Sequence, residues 1–255
     1  MQPARLSPRL ERFIRDQTRR AGKSRVIVGV SGGIDSALAA TLATRALGAD
    51  GVVALLMPYR SSHPDSRRDA EDLVRGLGID HQVIDISPMV DAYFAGRPEA
   101  DQVRRGNKMA RERMSVLYDL SVVYQALVLG TSNKTEILLG YGTLHGDTAS
   151  AINPMGDLYK TQVRALAAHL GVPERIRLKP PTADLWPEQT DEGELGYSYE
   201  EIDRLLVLLV ERGLKPRQIA TRGFPRRMVR AVQERMRGNE FKRRPPLIAR
   251  VSGCA

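Results

Sequence analysis

One cysteine, Cys254, next to the C-terminal residue, is all the thiol chemistry this sequence offers. That excludes an internal disulfide framework, a zinc site built from several cysteines and a CxxC redox pair. A chain of this kind is expected in the cytoplasm. Aromatic residues are scarce as well, 5% of 255, so the core has to come mostly from Leu, Val, Ile and Ala. No apolar run approaches the ~20 residues that a helix needs to cross a bilayer, and no membrane partner is expected. The opening stretch MQPARLSPRLERFIRD carries charge throughout and lacks the apolar centre of a secretion signal. Internal repeats, low-complexity tracts and linkers are missing too, so residues 1–255 are expected to form one domain.

What is present is a globular composition, 42% apolar and 27% charged, with 39 Lys and Arg against 30 Asp and Glu. The net charge of +9 suggests polyanionic partners, either nucleic acid or phosphorylated metabolites. An Arg-rich composition with basic ends explains it equally well. Four continuous apolar runs read as buried parallel strands: Arg25 to Val30, Val52 to Met57, His81 to Ile86 and Ala126 to Thr131. Helical periodicity separates them at Ser36 to Leu47, Pro64 to Leu77 and Asn107 to Tyr124, after an amphipathic helix from Leu10 to Arg19. Alternation of this kind predicts an α/β fold, an open parallel sheet with helices on both faces. Further helices are expected at Lys160 to Leu170, Ser198 to Arg212 and Pro225 to Arg237. The stretch Lys179 to Gly196 has little apolar periodicity and reads as a candidate lid.

The strongest chemical signal is SGGIDS, Ser31 to Ser36, between the first strand and the following helix. Two glycines let the backbone turn tightly against a ligand. Serine hydroxyls and the free amides of a helix start offer donors to phosphate oxygens. No Gly-Lys-Ser/Thr follows, so this is not a Walker loop. Asp35 inside an anion cradle is repulsive unless it holds a divalent cation, which suggests Mg²⁺ bound with pyrophosphate.

This loop resembles that of the PP-loop ATP pyrophosphatases, which cleave ATP between the α and β phosphates and adenylate an oxygen of the substrate. GNKMARERM (Gly106 to Met114), GTSNKTEILLGYGTLHGD (Gly130 to Asp147), NPMGDLYKTQV (Asn153 to Val163), Lys179 to Asp203 and FKRRPP (Phe241 to Pro246) resemble the ammonia-dependent NAD synthetases. The blocks occur in that family's order and cover the chain from Val26 onward. The resemblance implies a Rossmann-like, adenine-nucleotide hydrolase type of fold with additional C-terminal helices. It also implies Mg²⁺- and ATP-dependent amidation of deamido-NAD with ammonia, through an acyl-adenylate, releasing AMP and pyrophosphate.

Carried over residue by residue, the resemblance puts ATP at Gly29, Val30, Ser31, Gly32, Gly33, Ile34, Asp35 and Ser36, with Thr131, Lys160 and Thr182. Asp35 and Glu136 would hold Mg²⁺, Asp35 and Lys160 would be catalytic, and Arg111 and Lys242 would meet the dinucleotide. The resemblance further implies free ammonia as donor, since glutamine-dependent members carry an additional amidase domain, and a homodimer. Met114, Leu117, Leu120 and Val123 are more apolar positions than one sheet-facing stripe requires. Three substrate-side positions depart from the pattern: Leu144 replaces a Lys, Ala151 an Asp and Phe241 a His. They leave open a related ligase that amidates a different carboxylate. Nucleic acid is not an expected partner, because sulfur-inserting tRNA-modifying relatives need cysteines that this chain lacks.

Overall fold

The computed structural model describes residues 2–186 and 188–249, and Cys254 lies outside them. The elements run α1 (Pro3–Arg20), β1 (Arg25–Gly29), α2 (Ile34–Leu47), β2 (Val52–Leu56), α3 (Pro64–Leu77), β3 (Asp80–Val83), α4 (Ser87–Phe94), α5 (Gln102–Val123) and β4 (Ala126–Val128). Then follow α6 (Lys134–Leu139), α7 (Lys160–His169), α8 (Glu174–Leu178), α9 (Asp191–Leu195), α10 (Tyr199–Leu206), α11 (Pro216–Ala220) and α12 (Arg226–Gly238). The four strands are parallel in the order β3-β2-β1-β4. Val26 pairs with Val52 on one side and with Leu127 on the other.

Period-2 alternation sends the strand side chains to two separate cores. Val26, Val28, Val52, Ala54 and Leu56 pack with α2 and α7 on one face, while Ile27, Val53 and Leu55 pack with α4 and α5 on the other. Helix α2 lies between the sheet and the pair α1 and α7, and ten of its fourteen residues are buried. Its sequence, IDSALAATLATRAL, suits that place, because small side chains allow close approach at little entropic cost. A third core joins Ile202, Leu205, Ile219, Met228 and Val232 of α10 to α12 with Leu139 and Tyr159.

Several expected elements change at their ends. The run His81 to Ile86 is strand only over Asp80–Val83, and these residues are exposed because β3 is the sheet edge. The strand expected to reach Thr131 ends at Val128, where the chain turns into the site. Helix α1 starts at Pro3, with the ring in the first turn, where no amide donor is needed. Helix α5 starts five residues early, because Asp101 caps it by accepting from the Arg104 amide. The helix expected to reach Arg212 ends at Leu206 and widens into a π-type turn over Val207–Glu211. Met114 and Leu117 are not spare apolar residues, since both are buried against the sheet, and Leu120 packs partly against the same core. Only Val123 of that set is strongly exposed, together with Tyr118 and Val122. No described helix is long and apolar enough to cross a membrane.

Candidate active site

Strand β1 leads through α2 to β2 on one side and pairs with β4 on the other, so the chains leaving β1 and β4 diverge. A crevice opens at the carboxyl ends of parallel strands where the order switches in this way. A cavity of about 510 Å³ occupies it. Gly29 to Ser36 line it with the exception of Gly32, and Thr131, Glu136, Lys160 and Thr182 join them. Gly32 has another duty. Its φ is +79°, and a Cβ there would sit 2.1 Å from the Ser66 carbonyl oxygen, so the loop closes against α3 only with glycine. The loop also holds itself: the Ser31 amide donates to Ser36 Oγ (3.1 Å), and that hydroxyl donates to the Gly33 carbonyl (3.0 Å).

Lys160 is the centre of the charge arrangement. It is only 2% exposed, and its ammonium bonds Asp35 Oδ2 and, at 3.1 Å, Glu136 Oε1. Asn133 Nδ2 donates to the other Asp35 oxygen at 2.9 Å. The same asparagine caps α6 by accepting from the Glu136 amide, while Glu136 Oε2 accepts from the Asn133 amide. Asp191, the first residue of α9, also faces this cavity and accepts from Tyr199 (2.9 Å) and Tyr141 (3.1 Å) hydroxyls.

Burial opposes the Lys160 ammonium, but Asp35 and Glu136 outweigh it and hold its pKa above the ordinary lysine value. Burial pushes the Glu136 carboxyl up to about 8, with Lys160 opposing and Asp35 and Asp191 adding repulsion. Burial raises Asp191 in the same way, against the pull of Lys160. One buried cation thus faces three carboxylates. A second cation would relieve the repulsion that raises Glu136 and Asp191, and carboxylate oxygens are the ligands a hard divalent cation prefers. Among the described residues no three or more His, Cys, Asp or Glu side chains converge as a ready-made metal site. A cation here would draw on Asp35 and Glu136 and on a bound ligand's oxygens.

The segment from Lys179 to Gly196 lies over this cavity, and it includes the one-turn helix α9 that its sequence did not suggest. Asp184 accepts from the His63 amide (3.1 Å), Lys179 Nζ donates to Ser66 Oγ (2.8 Å), and Leu185 and Trp186 pack on Gly106. Substitution of Gly106 would push against both of those side chains.

A second lobe of about 280 Å³ shares Ser132, Glu136, Tyr141 and Lys242 with the first. Ala151 lines this lobe. Lys242 Nζ donates to the Gly140 and Gly142 carbonyls, both at 2.9 Å, which fixes the turn after α6. Arg111, Leu144 and Phe241 line neither lobe. Arg111 sits on the exposed face of α5 and donates to the Leu144 carbonyl at 3.1 Å, and Phe241 is 59% exposed.

Asn133, Asp191 and Tyr199 were not singled out from the sequence. Asn133 had a signal, since Asn-Lys-Thr-Glu is a capping-box spacing directly after a strand. Asp191 and Tyr199 reach the cluster only through tertiary packing.

A switch-point crevice with a glycine- and serine-rich anion loop defines a nucleotide-binding α/β protein of the pyrophosphate-loop type. The NAD synthase family model matches residues 6–246, and the chain belongs to that family. An NH3-dependent NAD+ synthetase of Trichlorobacter lovleyi is 51% identical over 94% of this chain and 88% of that relative. The structure described as NH3-dependent NAD synthetase from Campylobacter jejuni superposes with a TM-score of 0.84 at 36% identity, covering 98% of this chain and 100% of that one. One described as NMN synthetase from Francisella tularensis superposes at 0.88 with 33% identity, covering 98% and 99%.

Proposed function

We propose that this chain is a carbon–nitrogen ligase that amidates deamido-NAD to NAD with ammonia and ATP; two relatives 51% identical to it are named NH3-dependent NAD+ synthetases. The single observation that carries the chemistry is Lys160, buried and bridging Asp35 and Glu136 beside the pyrophosphate loop. A carboxylate is a poor electrophile. Its oxygen therefore attacks the α phosphorus of ATP, pyrophosphate leaves, and ammonia displaces AMP from the acyl-adenylate.

The loop from Gly29 to Ser36 would bind the phosphates through amides and hydroxyls, with Thr131 and Thr182 completing the nucleotide site. Lys160 would stabilise charge developing on the leaving pyrophosphate. Asp35 and Glu136 would hold Mg²⁺, which when bound offsets phosphate charge. The Lys179 to Gly196 segment would keep water from the acyl-adenylate, which hydrolysis would destroy.

Lys242 and Ala151 would border the pyridine carboxylate, and Arg111, Leu144 and Phe241 would lie at the outer end of the dinucleotide. The reading takes residues 1–255 as one domain working in the cytoplasm. It takes a homodimer as the assembly, with Tyr118 and Val122, one turn apart on α5 and exposed, as part of the contact.

The test is AMP and pyrophosphate release from ATP with ammonium, with and without deamido-NAD. Dependence on deamido-NAD is expected, and Asp35→Ala should abolish it while the protein still melts cooperatively, at a lower temperature because the buried Lys160 loses one of its carboxylate partners. Equal turnover without the dinucleotide would overturn the reading. A second carboxylate, nicotinate mononucleotide, belongs in the same assay, because the Francisella neighbour is described as an NMN synthetase and Leu144 and Ala151 lack the charges usual on the substrate side.

A further inference from the structure

Asp203 on α10 lines neither lobe of the cavity, yet it is 4% exposed and both of its oxygens are engaged. Thr135 Oγ1 donates to Oδ1 at 2.5 Å, and the Thr161 amide donates to Oδ2 at 2.8 Å. The same Thr135 oxygen accepts the Lys160 amide at 3.0 Å. Among the described residues no Lys or Arg pairs with Asp203, so these amide and hydroxyl donors are what satisfy a buried carboxylate.

The donors come from two helix starts. Lys160 and Thr161 open α7, and Thr135 is the second residue of α6, directly before Glu136. First-turn amides have no partner within their own helix. Here Thr135 takes that of Lys160 and Asp203 takes that of Thr161, so the spacing between the starts of α6 and α7 is fixed by hydrogen bonds. Helix α10 also supplies Tyr199, fully buried, whose ring lies 5.0 Å from Lys160 Nζ. One helix outside the cavity therefore reaches Lys160 twice, at its backbone through Thr135 and at its ammonium through the Tyr199 ring.

We propose that Asp203, acting through Thr135, and Tyr199 are positioning residues that fix where the Lys160 ammonium meets Asp35 and Glu136. This rests on the reading that Lys160 serves the adenylation step. Thr135→Val keeps the side-chain shape but removes the acceptor for the Lys160 amide and the donor to Asp203. Thr135→Ser keeps both.

A misplacement of about an ångström costs catalysis on the order of a hundredfold. The expected result for Thr135→Val is therefore a fall in kcat of at least about tenfold, with the KM for ATP within about twofold of wild type. The phosphate loop hangs on β1 and α2, which none of these bonds touches. Thr135→Ser should stay within about threefold of wild type in both. Amide hydrogen exchange gives a readout that needs no turnover: the Lys160 amide should exchange at least about tenfold faster in Thr135→Val and unchanged in Thr135→Ser.

Thr135→Val turnover within twofold of wild type, Thr135→Ser as slow as Thr135→Val, or an unaltered Lys160 exchange rate in Thr135→Val would each overturn the proposal. If Thr135→Val melts below the assay temperature, Asp203→Leu, which removes both acceptors that anchor Thr135 and the Thr161 amide, carries the comparison on kcat and on the KM for ATP with the same thresholds. Wild-type enzyme inactive on both carboxylates would overturn the ligase reading, while the exchange data would still decide the positioning role.

Discussion

Asn133 Nδ2 donates a 2.9 Å hydrogen bond to Asp35 Oδ1, joining the N-cap of α6 to the first turn of α2 across the switch point of the sheet. Because Asn133 also exchanges a capping box with Glu136, in which its backbone N–H donates to the Glu136 carboxylate, one residue orients both carboxylates that meet Lys160. Its backbone role and its site role are separable. Asn133→Ser keeps a capping oxygen for the Glu136 amide but has no amide to offer Asp35, whereas Asn133→Ala loses both.

Loss of a cap costs about 1 kcal/mol, which in a chain of this size lowers Tm by roughly 2–4 °C. We expect that drop in Asn133→Ala and a smaller one in Asn133→Ser. Both variants should lose at least about tenfold in kcat/KM. Calorimetry beside steady-state kinetics checks this, and activity recovered along with stability in Asn133→Ser would remove the orienting role.

The acid cluster sets an unusual pH dependence of stability. Glu136 has a folded pKa raised to about 8, against 4.5 when unfolded. The folded protein therefore holds this proton more tightly than the unfolded chain does. Its contribution to stability is fully present below pH 4.5 and is lost as pH rises through 8. The surface carboxylates whose pKa values are lowered, such as Glu71 and Asp85, are ionised in both states above about pH 5 and do not offset it. Ligand-free protein should melt several degrees lower at pH 8.5 than at pH 5.5, and Glu136→Gln should flatten that slope. A Tm that climbs over the same interval in the wild type would refute the assignment.

Sequence alone reaches the parts of this site that are local. The apolar run before Ser31, the glycine pair and the start of the helix after it lie within a dozen residues, and the structure keeps that strand–turn–helix unit at the centre of the sheet. Lys160 is different. As an isolated residue it reads as a solvated helix charge, and only family-like blocks mark it, because its burial depends on carboxylates 24 and 125 residues away. Tyr199 and Asp203 are less legible still, since a tyrosine and an aspartate in an amphipathic helix look like a face and a solvent charge. The apolar pattern of α5 misleads for a related reason. Period alone cannot say that Met114 and Leu117 are consumed by the sheet while Val122, outside the set counted from sequence, is 76% exposed.

That exposed strip gives an assembly test. Tyr118 and Val122 lie one turn apart on α5, and Val123 beside them is 69% exposed. Exposed apolar side chains grouped on one helix mark contact surfaces more often than isolated ones do. Light scattering at micromolar concentration should report about twice the 28.3 kDa chain mass. Val122→Lys should shift it toward the single chain with the melting curve little changed. A 28 kDa wild-type particle would remove the dimer.

Ala151 and Lys242 both line the second lobe. Lys242 already spends its ammonium on the Gly140 and Gly142 carbonyls and Arg243 its guanidinium on those of Leu138 and Met236, so both cations of the lobe are engaged, and among the described residues Glu136 is its one acid. Leu144 lines neither lobe, but its carbonyl holds Arg111, so the peptide there already ties α5 to the substrate side. A lysine at 144 would add positive charge beside Arg111, and an aspartate at 151 would supply the acid that balances it. Charge-assisted contacts contribute about 1.5–3 kcal/mol each, or roughly ten- to a hundredfold in binding. The double variant Leu144→Lys with Ala151→Asp should therefore lower the KM for deamido-NAD by about tenfold or more, while Leu144→Lys alone does less because its charge lacks the acid. The KM for ATP should stay within about twofold in both variants, since neither position lines the first lobe. Initial-rate kinetics with each substrate varied in turn decide it. A double variant no better than wild type would show that this chain holds the dinucleotide by contacts other than the usual charged pair, and Arg111→Ala would be the next substitution to measure.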